Sequence, residues 1–322
     1  KNFGSNNVMG SGKYIVVEAD EYDHSFLSLT PCIAGITNVD ADHLDCYRNL
    51  DDIKSSFIEY ANKVPFFGSV IACLDDNGVQ SILPAIHKKI VTYGFSRQAD
   101  LQARDIDMQG FSSSYDLLFK DYKLGRIALK VTGRYNIQNS LLAAAIGLEL
   151  NLPFAAIQDG LSKFSGVYRR FDWKGEANGI TIFDDYAHHP TEIKATLEGF
   201  KDSAKRRIVT LFQPHLFSRT RDFYEQFGKS FFSCDCLILA PIYPAREQPI
   251  PGVTSKLIAD AAIQSGHHNV HLIEANSEIV SQTLSLLKEG DILITMGAGN
   301  IWQYGEEILR ELKNYVDTNH NN

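Results

Sequence analysis

The residues best suited to chemistry form one stretch, Asp184-Asp185-Tyr186-Ala187-His188-His189-Pro190-Thr191-Glu192. Two adjacent carboxylates, a phenol and two imidazoles meet there. Imidazoles move protons near neutrality, and carboxylates orient and charge-balance them. The apolar Gly179-Ile-Thr-Ile-Phe183 before it reads as a buried strand, and Pro190 suits the first turn of a helix. Open α/β sheets bind ligands at the carboxyl ends of their strands. A polar cluster at such an end is therefore a candidate site rather than only a capped turn.

Six further clusters sit at comparable places. Glu18-Ala-Asp-Glu-Tyr-Asp23 closes an expected strand, and its crowded carboxylates suit a hard cation such as Mg²⁺ beside phosphates. Thr37-Asn-Val-Asp-Ala-Asp-His-Leu-Asp45 follows the next expected strand. Neighbouring parallel strands would bring Glu18 and His43 to one sheet edge. In Gly133-Arg-Tyr-Asn-Ile-Gln-Asn139, Asn136 and Asn139 stand three apart at a helix start. One can cap while the other projects, and a carboxamide has the donors and acceptor to read an adenine edge. Tyr168-Arg-Arg-Phe-Asp172 offers an arginine fork for phosphates. Phe212-Gln-Pro-His-Leu-Phe-Ser-Arg-Thr220 brings His215 and Arg219 toward the Asp184–Pro190 loop if the two preceding strands are neighbours. Gly297-Ala-Gly-Asn300 suits a tight turn as well as it suits an anion. Gly10-Ser-Gly-Lys13 is not a Walker phosphate loop. Asn7 stands where a glycine belongs, Tyr14 where the Mg²⁺-binding Ser or Thr belongs, and a strand follows instead of a helix.

Positioning these groups requires two α/β domains, which 322 residues can supply. In residues 1–165, strands are expected at Tyr14–Glu18, Cys32–Asn38, Ser69–Leu74 and Lys89–Tyr93, with helices at Asp51–Asn62 and Asn77–Ile86. A β meander over Leu101–Met108, Ser113–Lys120 and Tyr122–Val131 follows, then helices at Asn136–Leu150 and from Pro153 to Lys163. A boundary falls near Phe164–Tyr168. In 166–322, strands at Ile180–Phe183, Arg207–Phe212, Cys236–Ala240, His271–Glu274 and Asp291–Thr295 alternate with helices, the last over Asn300–Asn314. The fold class is α/β: a parallel sheet with a β meander, then a Rossmann-like domain.

The net charge of −8, with no basic run longer than Lys205-Arg-Arg207, argues against nucleic acid as a partner. No apolar run reaches the ~18–20 residues of a membrane span, so no membrane insertion is expected. Five dispersed cysteines are expected to be reduced and buried, as in a cytoplasmic protein. The chain opens at Lys1 and runs almost directly into a strand, which reads as the interior of a larger protein.

In this order, these stretches resemble the Mur ligase family, and most closely its alanine-adding members. The likeness implies the later part of a central ATP-binding domain followed by a complete C-terminal domain. It places a UDP-binding domain and a Gly-Lys-Thr phosphate loop before Lys1, so that this truncated form would be inactive alone. The implied activity is ATP-dependent amide-bond formation in peptidoglycan precursor synthesis. ATP would phosphorylate the carboxylate of UDP-N-acetylmuramate, and L-alanine would attack the acyl phosphate. Glu18 and His43 would hold Mg²⁺; Asn136, Asn139, Arg170 and Asp185 would bind ATP. Tyr186, His188, His215 and Arg219 would form the amino-acid pocket, with His188, Arg219 and His43 catalytic and Arg219 on the alanine carboxylate. A homo-oligomer is compatible with the family. The position where several members carry a carbamylated lysine falls near Phe57, which cannot serve, and Lys54 lies one turn earlier. Two alternatives stay open: a murein tripeptide ligase and a non-catalytic nucleotide-binding module.

Overall fold

The structure is a computed structural model and describes residues 7–41, 46–203 and 205–319. These divide into two compact units, one ending at Ser165 and the other running from Gly166.

The first unit is built on six strands: β1 (Ile33–Ile36), β2 (Ser69–Cys73), β3 (Ile90–Gly94), β4 (Leu101–Gln109), β5 (Ser112–Phe119) and β6 (Tyr122–Leu129). They lie in sequence order, parallel from β1 to β4 and antiparallel from β4 to β6. β2 shows why this sheet is covered on both faces. Val70 and Ala72 pack on one side with Ile53, Tyr60 and Ala61 of α1 (Leu50–Asn62) and Val79 of α2 (Asn77–Ile82). Ile71 and Cys73 pack on the other with Ile137, Leu141 and Ala144 of α3 (Arg134–Glu149) and Ile157 of α4 (Phe154–Lys163). A strand with apolar residues on both faces needs helices on both faces.

The second unit is a doubly wound sheet in the order β11-β10-β9-β12-β8-β7. Its strands are β7 (Asp172–Ala177), β8 (Ile180–Asp185), β9 (Ile208–Phe212), β10 (Cys236–Leu239), β11 (Val270–Leu272) and β12 (Ile292–Met296). All but the antiparallel edge strand β7 are parallel. Helices α5 (Pro190–Ser203), α6 (Phe217–Ser230) and α7 (Lys256–Gln264) cover one face through Leu197, Phe200, Phe227 and Ile258. Helices α8 (Ile279–Leu286) and α9 (Ile301–Asn319) cover the other through Ile279, Ile301 and Ile308. The result is the expected α/β class in both units.

Four expectations change. Residues Tyr14–Glu18 form no strand; Ile15 and Val16 are 87% and 94% exposed. β1 is the edge of its sheet and pairs only with β2, so this segment has neither ladder partner nor covering helix. Strand β7 was not expected, because Asp-Trp-Lys-Gly-Glu-Ala is polar and an edge strand needs only one buried face. β8 and β9 are not neighbours, since β12 lies between them. Of the cysteines, all unbridged, Cys32 is exposed and Cys46 half-buried, while Cys73, Cys234 and Cys236 are buried.

Candidate functional site

The insertion of β12 between β8 and β9 brings three loops together. Register places Met296 beside both Asp185 and Phe212, so all three strands end at one level. The chain leaves β8 into 186–189, β9 into 213–216 and β12 into 297–300. Backbone bonds lace these exits: Gly297 N–H donates to the Asp185 carbonyl at 3.1 Å, and Gln213 N–H to the Met296 carbonyl at 2.9 Å. A Cβ on Gly297 would stand 2.5 Å from the Gln213 carbonyl, and one on Gly299 2.5 Å from Gln213 Oε1 and 2.6 Å from Tyr243 Cγ. The glycines therefore serve close approach of loops, the reading left open between a turn and an anion site.

Arg169 ties the exits to the start of β7. Its Nε donates to Asp184 Oδ2 at 2.9 Å, and its two Nη atoms donate to the carbonyls of Gly299 at 3.2 Å and Gly297 at 2.5 Å. Asp184 also accepts from Thr295 Oγ1 at 2.8 Å. Burial raises the Asp184 carboxyl above its ordinary range, and Arg169 and Thr295 oppose that rise. Sequence reasoning passed over Arg169 in favour of Arg170. The two differ in direction because Arg169 and Phe171 both take positive φ, 59° and 49°, in the turn before β7.

Asp185 is 1% exposed, and its carboxylate is turned onto protein donors. Its oxygens accept from Phe171 N–H at 2.8 Å and Ala187 N–H at 2.9 Å, with Thr196 Oγ1 at 3.4 Å. Burial pushes its carboxyl up to about 6 despite these donors. These bonds clamp the Arg169–Phe171 turn onto the loop after β8, and contact of Asp185 with the nucleotide stays an expectation. Arg170 does project. Its Nη1 donates to Glu192 Oε1 at 3.1 Å, with the guanidinium 5.6 Å from the Tyr186 ring centre.

The two imidazoles expected in the pocket do meet. The ring centres of His188 and His215 are 5.8 Å apart, and Tyr186 is 5.2 Å from His188. His215 stacks on Tyr243 at 5.8 Å and 14°, and the backbones of the two residues pair across Leu216 N–H to the Tyr243 carbonyl at 3.0 Å. Burial pushes His215 down to about 4, helped by the charges of His188 and Arg219. Its Nδ1 is buried with no hydrogen-bond partner among the described residues, as are Gln213 Oε1 and His189 Nε2. Unpartnered buried polar atoms are costly and mark places where a ligand can supply the missing bond. Arg219 lies on the first turn of α6, and Glu247 holds the start of that helix by accepting from Ser218 N–H at 3.0 Å and Ser218 Oγ. His189 packs edge-on against Phe223 at 5.5 Å and braces the loop.

The first unit supplies less. Asn136 does not cap α3; Gly133 is the N-cap, and Asn136 Nδ2 donates to the Thr132 carbonyl at 2.7 Å. Asn139 is exposed on the same helix. The polar contact across this sheet edge is instead Gln138 Nε2 to Asp75 Oδ2 at 2.9 Å, with Asp75 also accepting from Phe95 and Ser96 N–H. Glu18 is exposed and ends no strand, and His43 lies outside the described residues. Among the described residues no group of three His, Cys, Asp or Glu side chains is placed to hold a metal. The expected Mg²⁺ pair of Glu18 and His43 thus lies partly outside the described residues. No helix among them is long and apolar enough to cross a membrane.

Two α/β units, the second a doubly wound sheet with arginine, imidazole and phenol groups at one crevice, match known sequence families. Residues 5–147 match the Mur ligase middle domain, and residues 169–299 match the domain described as Mur ligase, glutamate ligase domain. The chain belongs to the Mur ligase family. It is 46% identical over 310 residues to the UDP-N-acetylmuramate–L-alanine ligase of Geotalea uraniireducens, covering 96% of this chain and 68% of that protein. The enzyme of the same name from Salinibacter ruber is 46% identical over 316 residues, covering 97% of this chain and 66% of that protein. The chain thus spans about two thirds of the length of these relatives. Two solved structures share the fold. The UDP-N-acetylmuramate-alanine ligase of Thermotoga maritima has a TM-score of 0.71 at 22% identity, covering 92% of this chain and 62% of that one. The MurF ligase of Thermotoga maritima in complex with ADP has a TM-score of 0.68 at 17% identity, covering 88% and 62%.

Proposed function

We propose that this chain supplies the amino-acid site and part of the ATP site of a ligase in peptidoglycan precursor synthesis. The ligase joins L-alanine to the carboxylate of UDP-N-acetylmuramate at the expense of ATP. The observation that carries the reading is the convergence of Arg170, Tyr186, His188, His215 and Arg219 at the β8–β12–β9 crevice, in a chain 46% identical to proteins of that name. Arg219 presents a cation beside His215 for the alanine carboxylate. His215, held neutral, and His188 face the amine. Arg170, exposed beside Glu192, is the candidate for nucleotide phosphates, and Asn136 and Asn139 remain the candidates for the adenine edge. Mg²⁺ would neutralise charge on the transferred phosphate when bound. Glu18 and His43 are its proposed holders.

The experiment is a coupled assay of ADP and phosphate release by the full-length protein. Release that requires both UDP-N-acetylmuramate and L-alanine supports the reading. Equal or better release with another amino acid, or with the tripeptide L-Ala-γ-D-Glu-meso-diaminopimelate, overturns it.

A further inference from the structure

Glu192 sits at the third position of α5 and divides its two oxygens between two sides of the crevice. Oε1 accepts from Arg170 Nη1 at 3.1 Å. Oε2 accepts from the backbone N–H of His188 at 3.0 Å and of His189 at 3.3 Å, and it lies 3.3 Å from His188 Nδ1. The second neighbour of that same Nδ1 is the Tyr186 carbonyl oxygen at 3.0 Å. A ring nitrogen flanked by two oxygens that can only accept must carry the proton. Burial opposes ionisation of Glu192, but His188, Arg170 and the His188 N–H hold its carboxyl below the ordinary range, so it remains an acceptor.

From this geometry we infer that Glu192 is a positioning residue that fixes His188 as its Nδ1–H tautomer and leaves Nε2 as the proton acceptor for the incoming amine. The arrangement has the logic of a carboxylate that orients a histidine base in a hydrolytic triad. The inference rests on the amino-acid ligase reading and adds the base to it. L-Alanine arrives as an ammonium ion and passes one proton to His188 Nε2. The freed lone pair forms the C–N bond while the acyl C=O electrons move to oxygen. Collapse of that intermediate breaks the C–O bond to phosphate, which leaves with the electron pair, and the second nitrogen proton passes to phosphate or solvent. The ionised Glu192 stabilises the imidazolium formed in the first step. The other titratable or charged groups around the two imidazoles are Arg170, the Tyr186 phenol, His215, Arg219 and Glu247.

The test uses the full-length protein with ¹⁵N-labelled histidine, His188 being assigned by its loss in His188→Gln. The tautomer inference predicts a proton-bearing Nδ1 and an unprotonated Nε2 at neutral pH, read without turnover. In Glu192→Gln, kcat with alanine should fall by roughly 10-fold or more, and the acid limb of its pH profile should move down by about one unit. A helix-capping role alone would lower thermal stability and leave that limb in place. An Nε2–H tautomer in the wild type, or an unmoved acid limb in Glu192→Gln, overturns the inference. If Glu192→Gln does not fold, the wild-type tautomer decides. Wild-type turnover with alanine in the same assay separates a failure of this inference from a failure of the ligase reading.

Discussion

Removing Arg169 should be the most damaging single change at the crevice that leaves every proposed ligand-binding group in place. Among the described residues its guanidinium is the one partner of opposite charge bonded to Asp184, a carboxylate 1% exposed, and it also closes two backbone carbonyls after β12. Breaking a buried ion pair from one side costs about 3–5 kcal/mol, because the other charge is left without compensation. The Arg169 side chain is 23% exposed, so water can reach part of the vacated space, and the lower end, about 3 kcal/mol, is expected. For a unit of this size that is a fall in Tm of roughly 6–12 °C. Arg169→Ala keeps the strained positive φ of 59°, so the backbone term cancels in the comparison. Arg169→Lys restores charge without the fork and should lose about half as much. The pH dependence gives a second check. Asp184 already has a raised carboxyl in the fold, and losing Arg169 raises it further. A raised carboxyl favours the folded state at low pH and penalises it as pH rises through the folded value. The deficit of Arg169→Ala should therefore be largest near neutrality and shrink toward about pH 5, and adding Asp184→Asn should recover part of it. Urea unfolding at two pH values measures this. A loss below ~1 kcal/mol, or an equal loss at both pH values, would refute the account of Arg169 as the tie between the three exits.

Other positions follow from the same geometry. Gly299→Ala puts a methyl against Gln213 Oε1 and the Tyr243 ring, so it should displace Tyr243 from His215 and cost about 1–3 kcal/mol; alanine KM and thermal melting check both. Asp185, with its carboxyl raised to about 6, contributes stability at low pH that is lost as pH rises from its unfolded value through about 6. Asp185→Asn should flatten the stability–pH curve over that interval, read by denaturation across pH. Glu247→Ala removes both acceptors from Ser218 at the start of α6 and should cost about 1–2 kcal/mol. Since that loop carries Tyr243, alanine KM should rise with little change in ATP KM.

The sequence was most legible where one physical signal dominated. β8, β9 and β12 are short, wholly buried apolar runs, and no other element could bury them. The polar clusters at their ends were visible for the same reason, and His188 and His215 do meet. The reason offered for that meeting was incorrect: strand adjacency depends on where β12 inserts, which local periodicity does not encode. The edge strand β7 escaped notice because its alternation is diluted by Lys174, Gly175 and Glu176. Tyr14–Val17 has the composition of a strand, but a strand exists only with a partner. Neighbouring pairs were the hardest to divide. Asp184 and Asp185, or Arg169 and Arg170, are chemically identical on paper. Backbone direction sends Arg169 into the crevice floor and Arg170 outward, and it buries Asp185 among backbone donors. Glu192 was read only as part of a helix start, since its second role appears once Arg170 and His188 flank it in space.

The central claim, that the β8–β12–β9 crevice receives an amino acid for ligation, is tested most directly by kcat/KM for L-alanine in the full-length protein with UDP-N-acetylmuramate and ATP saturating. The comparison is wild type against Arg219→Met and His188→Gln. The account predicts alanine-dependent ligation by the wild type, a raised alanine KM in Arg219→Met, and a reduced kcat in His188→Gln. Wild-type kinetics retained by both variants, or no alanine-dependent ligation by the wild type, would contradict it.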